Sequence, residues 1–383
     1  MPDLGGEGVL QYPTHAELIE SSCPSAPSAP SAPPARAGLD AIIVPASRPA
    51  ENLETAVKLA TETDARLIVL CSFRTHADDV RALLAKHRLR DPAVVEMPEE
   101  CNGWILRDFK TTEWVHHGPG KGVCGARNSD LSMKRNSGLL LARLLGWERI
   151  FFIDDDIRAV SADTVLSTVS LLGSGGHSYR TAGMSVQKYP DNSVVCHARR
   201  AVGAFQGVFV SGSALAVDCR VPFDFFPDLY NEDWLFFYRD AAEESLATGG
   251  SLAEQLAYDP FADPQRAAGQ EFGDVIAEGL YALLHCGLGR ESADEEYWNR
   301  FLEQRGCVLD GVSKLLPNAR PELRGEISKA IGAARQVLRE ITATMCVDYL
   351  AAWQEDLERW GKLLADLPPA SSIEEALSII GIS

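Results

Sequence analysis

The sequence lacks the patterns that would mark it as a metal-knuckle, disulfide-framework or membrane protein. Its nine cysteines include no C-x-x-C pair, and an odd number of cysteines cannot all pair within one chain. It has no uninterrupted apolar run long enough to span a bilayer, and no basic segment followed by an apolar core at its N-terminus. We therefore expect a cytoplasmic protein in a reducing compartment, without membrane insertion.

Basic residues are also scarce. Lys and Arg total 36 against 54 Asp and Glu, which argues against a nucleic-acid partner, although a local basic cleft can still hold phosphate. Hydrophobic residues make up 46% of the 383 residues, enough for one large domain or two modest ones. The composition therefore predicts a globular protein.

The order of apolar runs predicts three regions. Residues 1–37 carry a Pro/Ala/Ser repeat that cannot bury a core, and we expect a disordered leader. Over residues 38–290 short β-branched runs alternate with helical patterns, which predicts an α/β fold with a doubly wound, Rossmann-like mixed sheet. Residues 291–383 read as helical throughout, with helices expected near 295–304, 323–342, 346–364 and 373–380. This helical region would pack on the sheet, pair with a second copy in a homo-oligomer, or shape an acceptor pocket, and the sequence leaves the three open.

Two glycine-containing segments carry weaker predictions. Residues 101–125 are irregular and glycine-rich, and we expect a mobile loop that orders over a ligand. Residues 194–217 suggest two or three strands joined by Gly-rich turns, where small residues let the backbone approach a ligand closely.

The strongest motif is Asp154-Asp155-Asp156, which directly follows the apolar run 149–153. That run is too short for a helix and reads as a buried strand. Ligands of open α/β sheets bind beyond the carboxyl ends of the strands, and neighbouring carboxylates repel one another unless a cation lies between them. The motif therefore predicts a divalent metal site. The alternative is a solvated turn before the helix expected near Ser161.

Together with other segments, this motif resembles the nucleotide-sugar glycosyltransferases of the GT-A fold, most closely the broad family 2 type. The other segments are the strand that ends at Pro45, Arg127-Asn128 before a helix, the Gly-rich 207–213, and Glu232-Asp233-Trp234. D-x-D alone is a weak pattern, but this order of motifs over residues 39 to 290 is more specific. The resemblance implies a GT-A fold and transfer of a sugar from a nucleoside-diphosphate sugar to a soluble acceptor.

The resemblance also implies roles for residues around the donor. Asp154 would lie near the ribose and the metal, Asp156 would bind a Mn²⁺ or Mg²⁺ that bridges the diphosphate, and His285 stands where many GT-A enzymes place a third metal ligand. The relatives commonly follow the second strand with an acid that contacts the nucleobase, whereas this chain has Ser72 and its neighbours there, so the base stays open. The donor-binding candidates are Pro45, Ser47, Arg48, Ser72, Lys121, Arg127, Asp154 and Asp155.

For the acceptor side the resemblance implies a carboxylate base. In inverting members the acid of the Glu-Asp pair takes the acceptor proton, which here means Asp233, with Glu232 as the second choice. The alternative is an acidic pair at a helix N-terminus that the helix dipole stabilises. The acceptor-binding candidates are Gln206, Gly207, Ser211, Gly212 and Trp234.

Three other functions stay open at this point. A retaining transferase would use the same metal site without the base. A sugar nucleotidyltransferase also combines such a sheet with acidic ligands, but it usually carries a Gly-rich phosphate loop after its first strand, and Pro45-Ala46-Ser47-Arg48-Pro49 matches that pattern poorly. A catalytically degenerate fold that serves as a binding module is the third.

Overall fold

The computed structural model describes residues 38–98, 104–125, 129–174, 178–187, 192–205 and 210–382, so the predicted leader lies outside the described residues. One eight-stranded sheet runs through the molecule in the order β3-β2-β1-β4-β7-β6-β8-β5. Its strands are β1 Ala41–Ala46, β2 Arg66–Cys71, β3 Ala93–Glu96, β4 Arg149–Ile153, β5 Ile157–Arg158, β6 Thr181–Gln187, β7 Val210–Asp218 and β8 Leu246–Gln255.

The sheet is mixed, as predicted. Strands β1 to β4 are parallel, β7 runs antiparallel to both β4 and β6, β8 is parallel to β6, and β5 is antiparallel to β8. From β1 the chain builds outward through β2 and β3, then returns to place β4 on the other side of β1. The strand order therefore reverses between β1 and β4, which is the place where open α/β sheets bind ligands. The α/β class is confirmed, and the GT-A assignment stays a prediction.

Helices cover both faces of the sheet. In the described residues none of them is both long and apolar enough to cross a lipid bilayer. Among the described residues, four short 3₁₀ turns lie at Ala50–Leu53, Arg290–Ser292, Leu316–Asn318 and Pro321–Leu323. The α-helices are α1 Glu54–Thr63, α2 Ala77–Leu84, α3 Lys110–His116, α4 Gly120–Val123, α5 Leu131–Leu145, α6 Ala162–Ser170, α7 Val194–Ala201, α8 Glu232–Ala242, α9 Pro264–His285, α10 Glu295–Leu315, α11 Arg324–Leu338, α12 Ala343–Asp366 and α13 Ile373–Ile380.

Neighbouring residues of each central strand face two different apolar clusters, because side chains alternate along a strand. In β1, Ile42 and Val44 pack with α1 and α6, whereas Ile43 packs in the cluster that contains α5. That second cluster continues without a break into the C-terminal helices, for example at Trp298 and Ile380. The helical region therefore packs onto the α/β part of the chain, while the domain boundary at 290 and homo-oligomer formation stay predictions.

The C-terminal helices also bond to the α/β part through the backbone and through buried side chains. Ile105 N–H donates to the carbonyl of Ile380 at 3.2 Å, and Ala370 N–H donates to that of Leu144 at 2.8 Å. From α12 the buried carboxylate of Asp356 accepts the N–H groups of Lys110 and Thr111, which begin α3, at 2.8 and 2.7 Å. Such a carboxylate satisfies orphan donors and complements the dipole at a helix N-terminus.

Two sequence-based predictions were wrong. Residues 104–125 are not an irregular loop but contain α3 and α4, because buried side chains such as Trp114 anchor them to the core. Residues 194–201 form α7 rather than a strand: the Ser193 hydroxyl accepts the Cys196 N–H at 3.3 Å, and basic side chains occupy the last turn. Only β7 of the expected two or three strands is present in the described part of 194–217.

Candidate functional site

The acidic turn after β4 is held by backbone bonds to two neighbouring strands. Asp154 N–H donates to the carbonyl of Ser213 in β7 at 2.8 Å, and the carbonyl of Asp156 accepts from Leu256, just beyond β8, at 2.9 Å. Ile157 N–H closes the turn on the Asp154 carbonyl at 3.1 Å. With its backbone fixed in this way, the turn presents its three carboxylates to different partners.

Asp155 binds the loop that follows β1. Its Oδ2 accepts the backbone N–H groups of Ser47 and Arg48 at 2.7 and 2.8 Å, and the Arg48 guanidinium pairs with its Oδ1. The second terminal nitrogen of Arg48 lies 2.7 Å from Oδ2 of Asp156. The amides that a phosphate-binding loop would use here already bind a carboxylate, which speaks against a nucleotidyltransferase site in this loop.

Asp154 and Glu232 share one arginine that the sequence did not single out. Arg135 of α5 is buried, with Nη2 at 3.1 and 3.2 Å from the two carboxylate oxygens of Asp154, and Nη1 at 2.7 Å from Oε1 of Glu232. Burial raises the pKa of Asp154 to about 7 even though the charge of Arg135 opposes that shift. Glu232 therefore forms a buried ion pair with Arg135, and the choice between Asp233 and Glu232 as the base stays a prediction.

Asp233 is buried at the start of α8. Its Oδ2 accepts the N–H of Gly212 at 2.8 Å, and its Oδ1 accepts that of Trp234 at 2.9 Å. Burial raises the pKa of this carboxyl, although the Arg135 charge and these hydrogen bonds oppose the shift. A raised pKa suits a general base. The residue before the pair, Asn231, has a left-handed backbone with φ of 63°, which turns the chain into α8.

Lys134 joins the ends of β1 and β2 beneath the site. Its Nζ donates to the Ala46 carbonyl at 2.7 Å and to the Ser72 hydroxyl at 2.6 Å, and it lies 3.0 Å from Oδ1 of Asp130. Burial lowers the pKa of Lys134, although Asp130 opposes the shift. The Ser72 hydroxyl is thus engaged by the protein itself.

Two cavities lie at this edge of the sheet. The smaller has a volume of about 440 Å³, and the larger, of about 1010 Å³, has an apolar wall that includes Trp104, Phe109 and Phe225. They share Phe73, Ser129 and Asp130. Phe73 has a left-handed backbone, with φ of 52°, and a half-exposed ring. A bulky residue in this conformation is strained, and such strain concentrates at binding sites.

The structure brings together only part of the predicted site. The smaller cavity is lined by Pro45, Ser47, Arg48, Asp154, Asp155 and Asp156 among the predicted residues, and the larger by Ser72. Predicted residues that line neither cavity are Lys121, Ser211, Gly212, Glu232, Asp233, Trp234 and His285. Arg127, Gln206 and Gly207 lie outside the described residues.

Three of the predicted residues that line neither cavity lie on helices. His285 is exposed at the end of α9, and Lys121 is exposed on α4, so their predicted roles stay predictions. Trp234 is half-buried, and its ring contacts that of Tyr281 with centroids 5.3 Å apart. Tyr281 also donates to the Trp234 carbonyl at 2.9 Å, so this side chain belongs to the packing between α8 and α9.

Two carboxylates of the smaller cavity, Asp154 and Asp156, could hold a divalent cation. Oδ1 of Asp156 is buried without a hydrogen-bond partner among the described residues, and burial raises the pKa of this carboxyl. Across the described part of the chain no three His, Cys, Asp or Glu side chains are placed to hold a metal together. Mg²⁺ usually takes one or two carboxylates and completes its coordination with substrate phosphates and water, so Asp156 and Asp154 would be sufficient protein ligands.

The residues of the remaining wall of the smaller cavity were not predicted from the sequence. It comes from the segments just before α7 and α8, the end of β8, the segment that follows β8, and α9. Its polar members are Asn192, Tyr230, Gln255, Tyr258, Arg266 and Gln270. Pairing of β5 with β8 sets Gln255 opposite Ile157, next to the acidic turn. No local sequence pattern marks these residues, because contacts between distant segments bring them together.

Comparison with known proteins does not assign a function to this site. No protein-family model matches the chain, and no curated protein is significantly similar to it. The function is therefore inferred from the site itself.

Proposed function

We propose that this protein transfers a sugar from a nucleoside-diphosphate sugar to an acceptor in a reaction that requires Mn²⁺ or Mg²⁺. The observation that carries the proposal is the buried Asp156 carboxylate, which lines a cavity at the reversal of strand order. One of its oxygens has no hydrogen-bond partner in the part of the chain that the structure describes. An unpaired buried acceptor lowers the stability of the fold by about 1–3 kcal/mol. A turn with a purely structural role would gain nothing from such an oxygen.

The chemistry agrees with this location. When a nucleoside diphosphate leaves the anomeric carbon, negative charge develops on its phosphate oxygens, and a bound cation supplies the compensating charge. Asp154 and Asp156 would hold that cation. Arg48 and Arg266 also line the cavity and add positive charge near the diphosphate. The strained Phe73, shared by both cavities, supports a path for the nucleoside toward the larger cavity.

A retaining transferase is the second candidate, and one observation favours it. Both carboxylate oxygens of Asp233 accept backbone N–H groups, and this residue lines neither cavity, whereas a base must reach the acceptor hydroxyl. Asp233→Asn separates the two mechanisms: an inverting enzyme loses most of its turnover, and a retaining enzyme keeps most of it. The configuration of the new glycosidic bond, read by NMR, gives the same answer independently.

We also propose that the acceptor is soluble and that the protein is cytoplasmic, and both stay predictions. The C-terminal helices remain the candidate surface for a homo-oligomer.

Thermal unfolding tests the proposal. The protein is heated with UDP, GDP, CDP, ADP or dTDP, each with and without Mn²⁺. A ligand at a hundred times its dissociation constant adds about 2.7 kcal/mol to stability, so we expect one nucleotide to raise the midpoint only when metal is present.

Asp156→Asn should abolish that metal-dependent shift. The control is Asp348→Asn, which removes the same charge from the exposed face of α12 and should leave the shift unchanged. If no nucleotide raises the midpoint of the wild-type protein, the transferase proposal is wrong and the binding-module alternative takes its place.

A further inference from the structure

Two side-chain amides present buried oxygens at the smaller cavity. Asn192 lies just before Ser193, the N-cap of α7, and Gln255 is the last residue of β8. Oδ1 of Asn192 and Oε1 of Gln255 are buried, and neither has a hydrogen-bond partner among the described residues. Asn192 as a whole is only 4% exposed. Buried polar atoms in native proteins are nearly always paired, so two unpaired amide oxygens at one cavity indicate a hydrogen-bond-donating ligand.

The amide of Gln255 lies beside the acidic turn. Its Nε2 is 3.3 Å from Oδ2 of Asp156, the carboxylate that would hold the cation on the diphosphate. In a nucleoside-diphosphate sugar the group bonded to the outer phosphate is the sugar. A ligand whose diphosphate binds at Asp156 therefore places its sugar within reach of this wall.

The neighbouring side chains hold the wall in one geometry. Gln270 of α9 accepts the N–H of Val194, the first residue of α7, at 2.9 Å. The Tyr258 hydroxyl lies 3.2 Å from Nε2 of His197, and the guanidinium of Arg266 lies over the Tyr258 ring at 5.1 Å. These contacts join α7, α9 and the segment after β8. They hold the start of α7 in place, and Asn192 directly precedes the N-cap of that helix.

We propose that the amides of Asn192 and Gln255 bind the hydroxyl groups of the sugar that the donor carries, an inference that rests on the proposed function. A primary amide offers an N–H donor and a carbonyl acceptor together, and a sugar hydroxyl offers the complementary pair. The unpaired amide oxygens need a donor, and the adjacent carboxylates repel anions. The subsite therefore suits neutral hydroxyl groups rather than a second phosphate or a carboxylate.

Titration calorimetry with Mn²⁺ tests the assignment. The nucleoside diphosphate that stabilises the wild-type protein is compared with its glucose, galactose and N-acetylglucosamine esters. We expect at least one sugar ester to bind wild type more tightly than the free diphosphate. Asn192→Ala should bind the free diphosphate within about twofold of wild type and lose roughly tenfold in affinity for that ester, as expected for one hydrogen bond. Gln255→Ala also removes the hydrogen bond to Asp156, so both affinities should fall, that for the ester by roughly tenfold more than that for the free diphosphate.

Two further variants serve as controls. Gln265→Ala removes an exposed amide from the same helix as Gln270 and should bind both ligands as wild type does. Asn192→Asp keeps an acceptor but loses the N–H donor and adds a negative charge beside the diphosphate, so it should weaken both ligands and the sugar ester more. Metal-dependent binding of the free diphosphate shows that each variant is folded.

The outcomes separate the two proposals. If the wild-type protein binds a nucleoside diphosphate with Mn²⁺ but Asn192→Ala and Gln255→Ala weaken it and its sugar esters equally, the sugar subsite is wrong and the transferase proposal survives. If no sugar ester gains affinity over the free diphosphate, the subsite is likewise wrong. If no nucleoside diphosphate binds at all, the transferase proposal fails and the subsite falls with it.

Discussion

The guanidinium of Arg135 lies 2.7 Å from the carboxylate of Glu232, and both side chains are buried. The same guanidinium neutralises Asp154, so one cation serves two carboxylates from different parts of the chain. Removing one partner of a buried pair leaves an uncompensated charge. Arg135→Gln should therefore lower the free energy of unfolding by about 3–5 kcal/mol, measured by urea denaturation.

The control for that variant is Arg300→Gln. Arg300 pairs with Glu296 at 2.6 Å on the exposed face of α10, and an exposed pair of this kind contributes about 0–1 kcal/mol. Equal losses in the two variants would show that Arg135 is not the electrostatic centre of the site.

Gly212→Ala should destabilise the protein and weaken the site. A Cβ at Gly212 would lie 2.8 Å from Nη1 of Arg135 and 3.0 Å from Cβ of Asp233, closer than packed atoms tolerate. Overpacking of this kind costs about 1–3 kcal/mol, and it would displace the arginine or the aspartate. Gly306→Ala, where a Cβ meets open space within α10, should instead stabilise by about 0.5–1 kcal/mol. Differential scanning calorimetry distinguishes the two signs.

Arg48→Gln should strengthen cation binding by roughly tenfold. The guanidinium stands 2.7 Å from Oδ2 of Asp156, on the same carboxylate whose Oδ1 would hold the cation, and its positive charge competes with that cation. The backbone amides of Ser47 and Arg48 would still bind Asp155, so the loop keeps its position. Calorimetric titration with Mn²⁺ measures the change, and weaker Mn²⁺ binding in the variant would contradict the competition.

Asp240 should make stability depend on pH. Burial raises its pKa to about 6 despite the opposing charge of Arg180, so the folded protein binds this proton more tightly than the unfolded chain. Asp240 therefore favours the folded state below about pH 4, and that contribution is lost as pH rises to about 6. The loss is at most about 3 kcal/mol. Asp240→Asn should remove this slope between pH 4 and 6, and an unchanged slope in urea denaturation would place its origin elsewhere.

Asp356→Ala should loosen α3 without unfolding the molecule. The two N–H groups that Asp356 accepts at the start of α3 would lose their partner, at a cost of about 1–3 kcal/mol. Hydrogen exchange should accelerate for the amides of α3 more than for those of the central strands. Asp366→Ala, at the exposed end of α12, should leave exchange in α3 unchanged.

The sequence was sufficient to locate the central strands and the acidic turn. The runs that form β1, β2 and β4 are short and rich in β-branched or aromatic residues, and they are buried except for Arg66 and Arg149 at the starts of β2 and β4. Few other structures suit such runs. The last helix was predicted to its residue limits at 373–380, since Ser372 accepts the N–H of Glu375 at one end and Gly381 takes a left-handed conformation at the other. These features depend on residues that are adjacent in the sequence, so the sequence alone is enough to predict them.

The rest of the site depends on contacts between distant segments. Arg135 is one basic residue in an otherwise ordinary helix, and only folding shows that it faces Asp154 and Glu232. The side chains of Asn192 and Gln255 reach one cavity because α7 and β8 end beside it. A single sequence does not show which distant residues come into contact. A run of three carboxylates after an apolar strand, in contrast, can be recognised directly in the sequence.

The hydrogen bond from Ile105 to Ile380 has a consequence for how the protein is made. Ile105 lies between Trp104 and Leu106, which both line the larger cavity. On the ribosome this part of the wall is synthesised early, yet its backbone partner emerges only when almost the whole described chain has been translated. The α/β strands can pair before then, but this part of the wall of the larger cavity gains its backbone partner only after the helix that contains Ile380 has emerged.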